Sequence, residues 1–170
     1  MTQVTIEPWG EDDLALLELS NLPEMMEHLG GPETPEKLVI RQQRYLDGWR
    51  TGTSFMFRIE ADGRPVGGIG YWPTEWHDGE VLETGWSVHI PYQRHGYATE
   101  AVLLVIAHAA AHHERQLLHA MPRADNPASN AVCRKAGFTL LGEVDDEYPP
   151  GNPIRSNDWV FDLATRRIAS

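Results

Sequence analysis

Apolar positions change their spacing several times along this chain, and each change marks an element. Thr2 to Glu7 alternates weakly as a first strand, whereas from Asp12 to Asn21 Leu14 and Leu17, with Met25 and Met26 beyond, fall near helical spacing. Thr34 followed by Pro35 supplies a capping hydroxyl and a proline at the first helical position, which predicts a helix to about Trp49 that Gly48 and Gly52 help to end. The N-terminal third is therefore expected to be mostly helical. Thr53 to Ala61 is rich in β-branched and aromatic residues, Asp62-Gly63 is a hairpin turn signal, and Val66 to Trp72 is the return strand. A polar loop from Thr74 to Gly79 leads to Val81–Ile90, another alternating run, antiparallel to its predecessor.

From Ile90 onward the pattern alternates helix and strand. Thr99 to Glu114 is built from alanine, leucine and valine, with Val102, Val105, Ile106 and Ala109 on one face, so a buried helix is predicted. Leu117 to Met121 is a short strand, Ala128 to Ala136 a second helix stopped by Gly137, and Phe138 to Val144 a strand. An acidic, proline-rich loop follows, and Asn157 to Leu163 is the last strand. The resulting fold class is α+β, a mixed and mostly antiparallel central sheet with helices on both faces. A strand, a helix and a neighbouring strand between Val81 and Met121 form a crossover unit, which places a ligand cleft beyond the carboxyl ends of those strands.

Length and charge narrow the picture. The 170 residues are most simply one domain, 1–170. The formal charge of −11, from 14 basic and 25 acidic residues, argues against a nucleic-acid surface and towards cationic or neutral partners. The longest apolar run, Ala101 to Ala107, is far short of the roughly 20 residues that cross a bilayer, so no membrane partner is expected. Cys133 is the sole cysteine, which forbids an internal disulfide, and Met1 to Trp9 lacks signal-peptide features; a cytoplasmic address is expected.

Two segments carry chemistry. Gln93-Arg94-His95-Gly96-Tyr97-Ala98 joins a strand to a helix, where a glycine lets backbone N–H groups converge on an anion at a helix N-terminus; an ordinary turn explains the glycine equally well. Asn126 to Phe138 sets Asn126, Ser129 and Asn130 at the start of the next helix, where Asn126 or Ser129 also reads as an N-cap. Cys133 lies within that helix without a histidine signature, so it reads as a buried hydrophobe. His108 and His112, four residues apart, have no third metal ligand in a recognisable pattern and read as packed or solvated. Trp72, Trp76 and Trp86 are core residues by default and an aromatic wall for an amine otherwise. Glu143, Asp145, Asp146 and Glu147 read either as a solvated run or as a loop that attracts cations.

Glu83-Thr84-Gly85-Trp86 through Gln93–Ala101, together with Asn126–Phe138, resembles the GNAT superfamily of N-acetyltransferases, in particular the branch that includes ribosomal-protein N-terminal acetyltransferases; the likeness is good over residues 53–163 and in outline before them. The resemblance implies acetyl-CoA as cosubstrate and a sheet splayed where it binds. Gln93, Arg94, His95, Gly96, Tyr97, Ala98 and Thr99 would hold its pyrophosphate, the backbone of Val88, His89 and Ile90 would pair with the pantetheine arm like an added strand, Asn126 and Asn130 would hydrogen-bond the pantetheine or neighbouring cofactor groups, and Arg134 would meet a phosphate. Glu83 would be the base that deprotonates an acceptor ammonium, or else a cross-strand ion-pair partner, and Ser129 would protonate the departing thiolate. The expected reaction is acetyl transfer to a primary amine, of a peptide N-terminus or a small molecule, by direct attack in a ternary complex. A non-catalytic acyl-CoA-binding regulatory module is the alternative, against which both Glu83 and Ser129 weigh. Family analogy adds a homodimer.

Overall fold

In the computed structural model, which describes residues 1–77 and 79–168, the strands are β1 (Val4–Pro8), β2 (Phe55–Ala61), β3 (Arg64–Trp76), β4 (Gly79–Val88), β5 (Leu117–Ala120), β6 (Thr139–Glu147) and β7 (Pro153–Asp162). They form one sheet in the order β1-β2-β3-β4-β5-β7-β6, and every pairing is antiparallel except β4 with β5. The helices are α1 (Leu14–Ser20), α2 (Pro35–Thr51), α3 (Tyr97–His112), α4 (Pro127–Lys135) and α5 (Leu163–Ile168). The expected mixed, mostly antiparallel sheet with helices on both faces is what forms. No helix of the described residues is long and apolar enough to cross a membrane.

The alternation of β2 shows how the two faces are filled. Phe55, Phe57 and Ile59 join the larger core, where Val102, Val105, Ile106 and Ala109 of α3 bury their shared face against Ile69, Tyr71, Leu82 and Leu118. Met56 points the other way, into a smaller cluster with Trp9, Leu17 of α1 and Leu38 of α2. Burial of each large apolar side chain contributes about 1.5–3 kcal/mol, so α3 is held chiefly by its face and not by propensity. Thr34 caps α2 as predicted, its hydroxyl accepting from the Lys37 N–H at 3.4 Å, and Gly52 ends that helix with φ of 71°. Gly48 does not end it. It is buried inside α2, where a Cβ would collide with Ser54, so its requirement is for close approach.

Three expectations change. The polar loop placed at Thr74–Gly79 is largely strand, because Trp72, Thr74 and Trp76 of β3 pair with Glu83, Val81 and Gly79 of β4 and carry the hairpin on to a turn at His77. Glu143, Asp145, Asp146 and Glu147 lie on β6 itself and not in a loop, paired to Asn157, Arg155, Ile154 and Pro153 of β7. Helix α5 was not foreseen in the sequence.

Candidate active site

The parallel pairing of β4 with β5 is short. It joins Leu82, Glu83 and Thr84 to Leu118, His119 and Ala120, and then the strands part. Pro122 is the reason on the β5 side: it has no N–H to continue a ladder, and its carbonyl accepts instead from Asn157 of the β7 strand at 2.9 Å. Gly85 to Val88 therefore keep β3 as neighbour and face a gap on their other edge, among the described residues. The His89 N–H donates to Val66 O at 2.8 Å, towards β3, so the two-residue alternation of an antiparallel strand turns the N–H and C=O of Val88 into the gap. The Val88 carbonyl accepts from the Gln93 amide at 2.9 Å, which folds the next segment back over the strand end and leaves the Val88 N–H to the gap.

That segment is a short 3-10 turn, Ile90–Tyr92, followed by Gln93 to Gly96 and the start of α3. Arg94 and Gly96 both have positive φ, 65° and 81°. This left-handed turn brings the N–H groups of Arg94 to Thr99 to the start of α3, and among the described residues none of them has an acceptor; the first one satisfied is Glu100 N–H, on Gly96 O at 3.1 Å. The Arg94 guanidinium is exposed and makes no ion pair among the described residues. His95 stacks on Tyr97 with ring centres 5.3 Å apart. Six free donors, a helix dipole and an arginine suit a diphosphate.

His89 and Ile90 have other work. The His89 carbonyl accepts from Tyr92 N–H at 2.8 Å and the Ile90 carbonyl from Gln93 N–H at 3.2 Å, while the His89 imidazole is buried with Nε2 at 3.2 Å from Leu16 O and 3.1 Å from Ser20 Oγ. Burial lowers the His89 pKa, so the ring is a neutral tether between β4 and α1. Of the three residues expected to pair with pantetheine, Val88 offers a free group, and Trp86, which the sequence reading placed on the acceptor side, shares its backbone orientation.

Helix α4 separates its polar residues in the same way. Asn126 is the N-cap, accepting from Ser129 N–H at 3.2 Å, and Ser129 Oγ makes no hydrogen bond among the described residues. Asn130 is only 7% exposed and is fully used: its amide donates to Arg123 O and Asn126 O, and its oxygen accepts from Asn157 Nδ2 and Trp159 Nε1, both at 2.8 Å. All four bonding positions being filled, Asn130 ties α4 to β7 and has nothing left for a cofactor. The exposed Arg134 sits over the Trp159 ring at 5.7 Å. Cys133 is buried and its thiol is pushed up to about 12, chiefly by burial, which rules out a thiolate nucleophile at neutral pH. Burial, then His112, lowers His108 to about 4; its Nδ1 meets the Tyr71 hydroxyl at 2.8 Å, and no group of three metal-ligating side chains occurs among the described residues.

On one face of the β4–β5 pair, Glu83 opens into a pocket of about 60 Å³ lined by Thr74, Trp76, Val81, His119, Met121 and Asp146. Cross-strand partners share a face, so Trp72 and His119 flank Glu83 directly. Burial raises the Glu83 pKa to about 7; the Trp72 indole opposes the rise by donating a hydrogen bond, and the charges of Asp146 and Asp158 add to it. His119 Nδ1 lies 2.6 Å from Asp158 Oδ1, and Trp76 Nε1 donates to Asp158 Oδ2 at 2.8 Å. Trp86 belongs to the other face, packed against the main core. Asp146 was visible in the sequence as part of an acidic run. His119 and Asp158 were missed: His119 interrupts the apolar strand Leu117–Ala120, which is a signal that could have marked it, whereas Asp158 follows the polar run Arg155–Asn157 and had none.

A strand edge left open beside an anion-accepting helix start, with a raised carboxyl next to it, defines a class. Residues 3–139 match the family model described as an acetyltransferase (GNAT) domain, and the chain belongs to that family. No curated protein matches the chain significantly in sequence. Solved structures share its fold: an acetyl transferase from Salmonella typhimurium that modifies the N-terminal serine of a ribosomal subunit protein (19% identity, 94% of each chain covered, TM-score 0.78) and an aminoglycoside acetyltransferase in complex with coenzyme A (22% identity, 99% of this chain and 100% of that one, TM-score 0.78). A microcin self-immunity acetyltransferase in complex with acetyl-CoA and AMP aligns over 94% of this chain and 92% of its own, at 17% identity and a TM-score of 0.79.

Proposed function

We propose that this protein transfers an acetyl group from acetyl-CoA to a primary amine by direct attack in a ternary complex. The observation that carries the reading is the position of Glu83: it lies on the last paired stretch of β4, with the acceptor pocket on its face and the open edge of Gly85–Val88 immediately after it. Acetyl-CoA supplies an acyl group already activated as a thioester. The N–H groups of Arg94 to Thr99 hold its diphosphate, with the Arg94 guanidinium beside them, and the Val88 N–H pairs with an amide of the pantetheine arm. Asn126 caps the helix that presents Ser129, and the exposed Arg134 of the same helix is the side chain that meets a cofactor phosphate.

On the acceptor side, Glu83 takes a proton from the incoming nitrogen. A base poised near neutrality gives a usable fraction of carboxylate and still a worthwhile proton affinity, which its raised pKa provides. Ser129 Oγ, which has no partner among the described residues, is the proton donor to the departing sulfur. The test is thiol release from acetyl-CoA across peptides with free N-termini, spermidine and kanamycin. Turnover with at least one of them is expected; tight coenzyme binding without turnover on any would show a binding module instead.

A further inference from the structure

The overall reaction removes two protons from the nitrogen, because an ammonium carries three hydrogens and the secondary amide one. Glu83 as a lone base would have to unload between the two. The pocket holds a second acceptor. His119 is the direct cross-strand partner of Glu83, lines the same pocket, and is 5% exposed; its Nδ1 is 2.6 Å from an Asp158 oxygen, and Asp158 is 2% exposed with its other oxygen taken by Trp76. An ionised carboxylate only accepts, so Nδ1 carries the hydrogen and Nε2 of the neutral ring is a bare lone pair. Nε2 has no hydrogen bond among the described residues, and it is not among their fully buried, unpartnered side-chain atoms, of which His89 Nδ1 is the one found.

From this geometry, and resting on the acetyl-transfer reading above, we infer that His119, oriented by Asp158, is a second catalytic base that converts the acceptor ammonium into a free amine before Glu83 acts. In the first step an N–H bond of the ammonium breaks, its proton goes to His119 Nε2, and the electron pair stays on nitrogen. That pair then attacks the thioester carbonyl carbon; the nitrogen gives its second proton to the Glu83 carboxylate, the carbon–sulfur bond breaks with its electrons on sulfur, and the thiolate takes a proton through Ser129, whose hydroxyl is restored by a proton from water. Charge favours this division. The imidazolium forms against the Asp158 carboxylate and becomes one half of a buried ion pair, and the charges of Asp146 and Asp158 keep Glu83 able to take the second proton. The acidic groups around His119 are Glu83 from β4, Asp158 from β7 and Asp146 from β6, and the nearby cation, Arg115, is spent on the carbonyls of Thr74 and Val81 at the pocket wall.

Two readouts test the role. In protein without substrates, nitrogen-labelled histidine NMR, assigned with His119→Gln, should show neutral His119 with its hydrogen on Nδ1; the opposite tautomer overturns the proposal. In kinetics at pH 6.5, H119Q should lower kcat by about 100-fold for an acceptor that arrives as ammonium, taken from the peptide, spermidine and kanamycin panel. With O-benzylhydroxylamine, which is already neutral at that pH, the loss should shrink to under about threefold, while E83Q stays impaired with both. D158N should follow H119Q, because an amide there favours the wrong tautomer. An equal loss with both kinds of acceptor means a structural role only and overturns the inference, as does no loss with either. Wild-type protein that turns over no amine at all removes the acetyl-transfer reading itself.

Discussion

On one edge of β4 the N–H groups of Arg94 to Thr99 gather at the start of α3; on the neighbouring face Glu83, Asp146, His119 and Asp158 arrive from four different strands. Both arrangements await a charged guest, and they differ in what they are made of. The first uses backbone dipoles, which are present whatever the side chains and carry no titration. Its demanding positions are Arg94 and Gly96, with left-handed φ of 65° and 81°, of which the glycine adopts that conformation freely. The second uses ionisable side chains held partly away from water, which costs stability and ties the site to pH.

The largest effect should come from the ionisable side. Glu83→Gln is expected to lower kcat by about 10²–10⁴-fold while leaving coenzyme affinity unchanged; a matching loss of affinity would merge the two regions into one. The same variant separates them by stability. The folded Glu83 titrates at about 7 against an ordinary 4.5, so the native state holds this proton more tightly than the unfolded chain does. The resulting cost is absent below about pH 4.5, grows as pH rises towards 7, and is complete above it, so E83Q should stabilise the protein by about 1–3 kcal/mol at pH 8 and leave it unchanged near pH 4. Urea melts at the two pH values measure this directly.

Next in size is Asn130→Ala, which strands the Trp159 and Asn157 donors and should cost about 2–4 kcal/mol in the same melts. Retention of full stability would return Asn130 to the list of free ligand groups. Gly96→Val probes the backbone side. A Cβ there meets nothing within 4 Å, so the penalty is conformational, about 1–2 kcal/mol, and should appear as a roughly tenfold weaker coenzyme A affinity by calorimetry. Cys133→Ala is the smallest: about 1 kcal/mol of stability from the vacated core volume, with kcat unaltered.

The two regions were unequally legible in the sequence. The coenzyme edge depends on neighbours in the chain, so a strand, a glycine and a helix start in succession exposed it, and the order of elements from Phe55 to Asp162 emerged with shifts of boundary, helix α5 beyond them being missed. Local rules failed where partners are distant. Asn130 looked like a free polar group on a helix because nothing in its own segment reveals Trp159 and Asn157 across the turn into β7. The acidic residues of β6 passed for loop since their pairing partners on β7 follow only after Pro149 and Pro150. His119 and Asp158 are 39 residues apart, and nothing short of the sheet order β4-β5-β7 brings them to Glu83.

The central claim, that the main chain after β4 grips a diphosphate, is open to one direct measurement: calorimetric titration of the folded protein with coenzyme A and, in parallel, with pantetheine, which lacks the diphosphate. Saturable binding of coenzyme A at one site per chain, at least about tenfold tighter than pantetheine and weakened in Gly96→Val, is the expected result. Equal affinity for the two compounds, or no heat with coenzyme A, would contradict it.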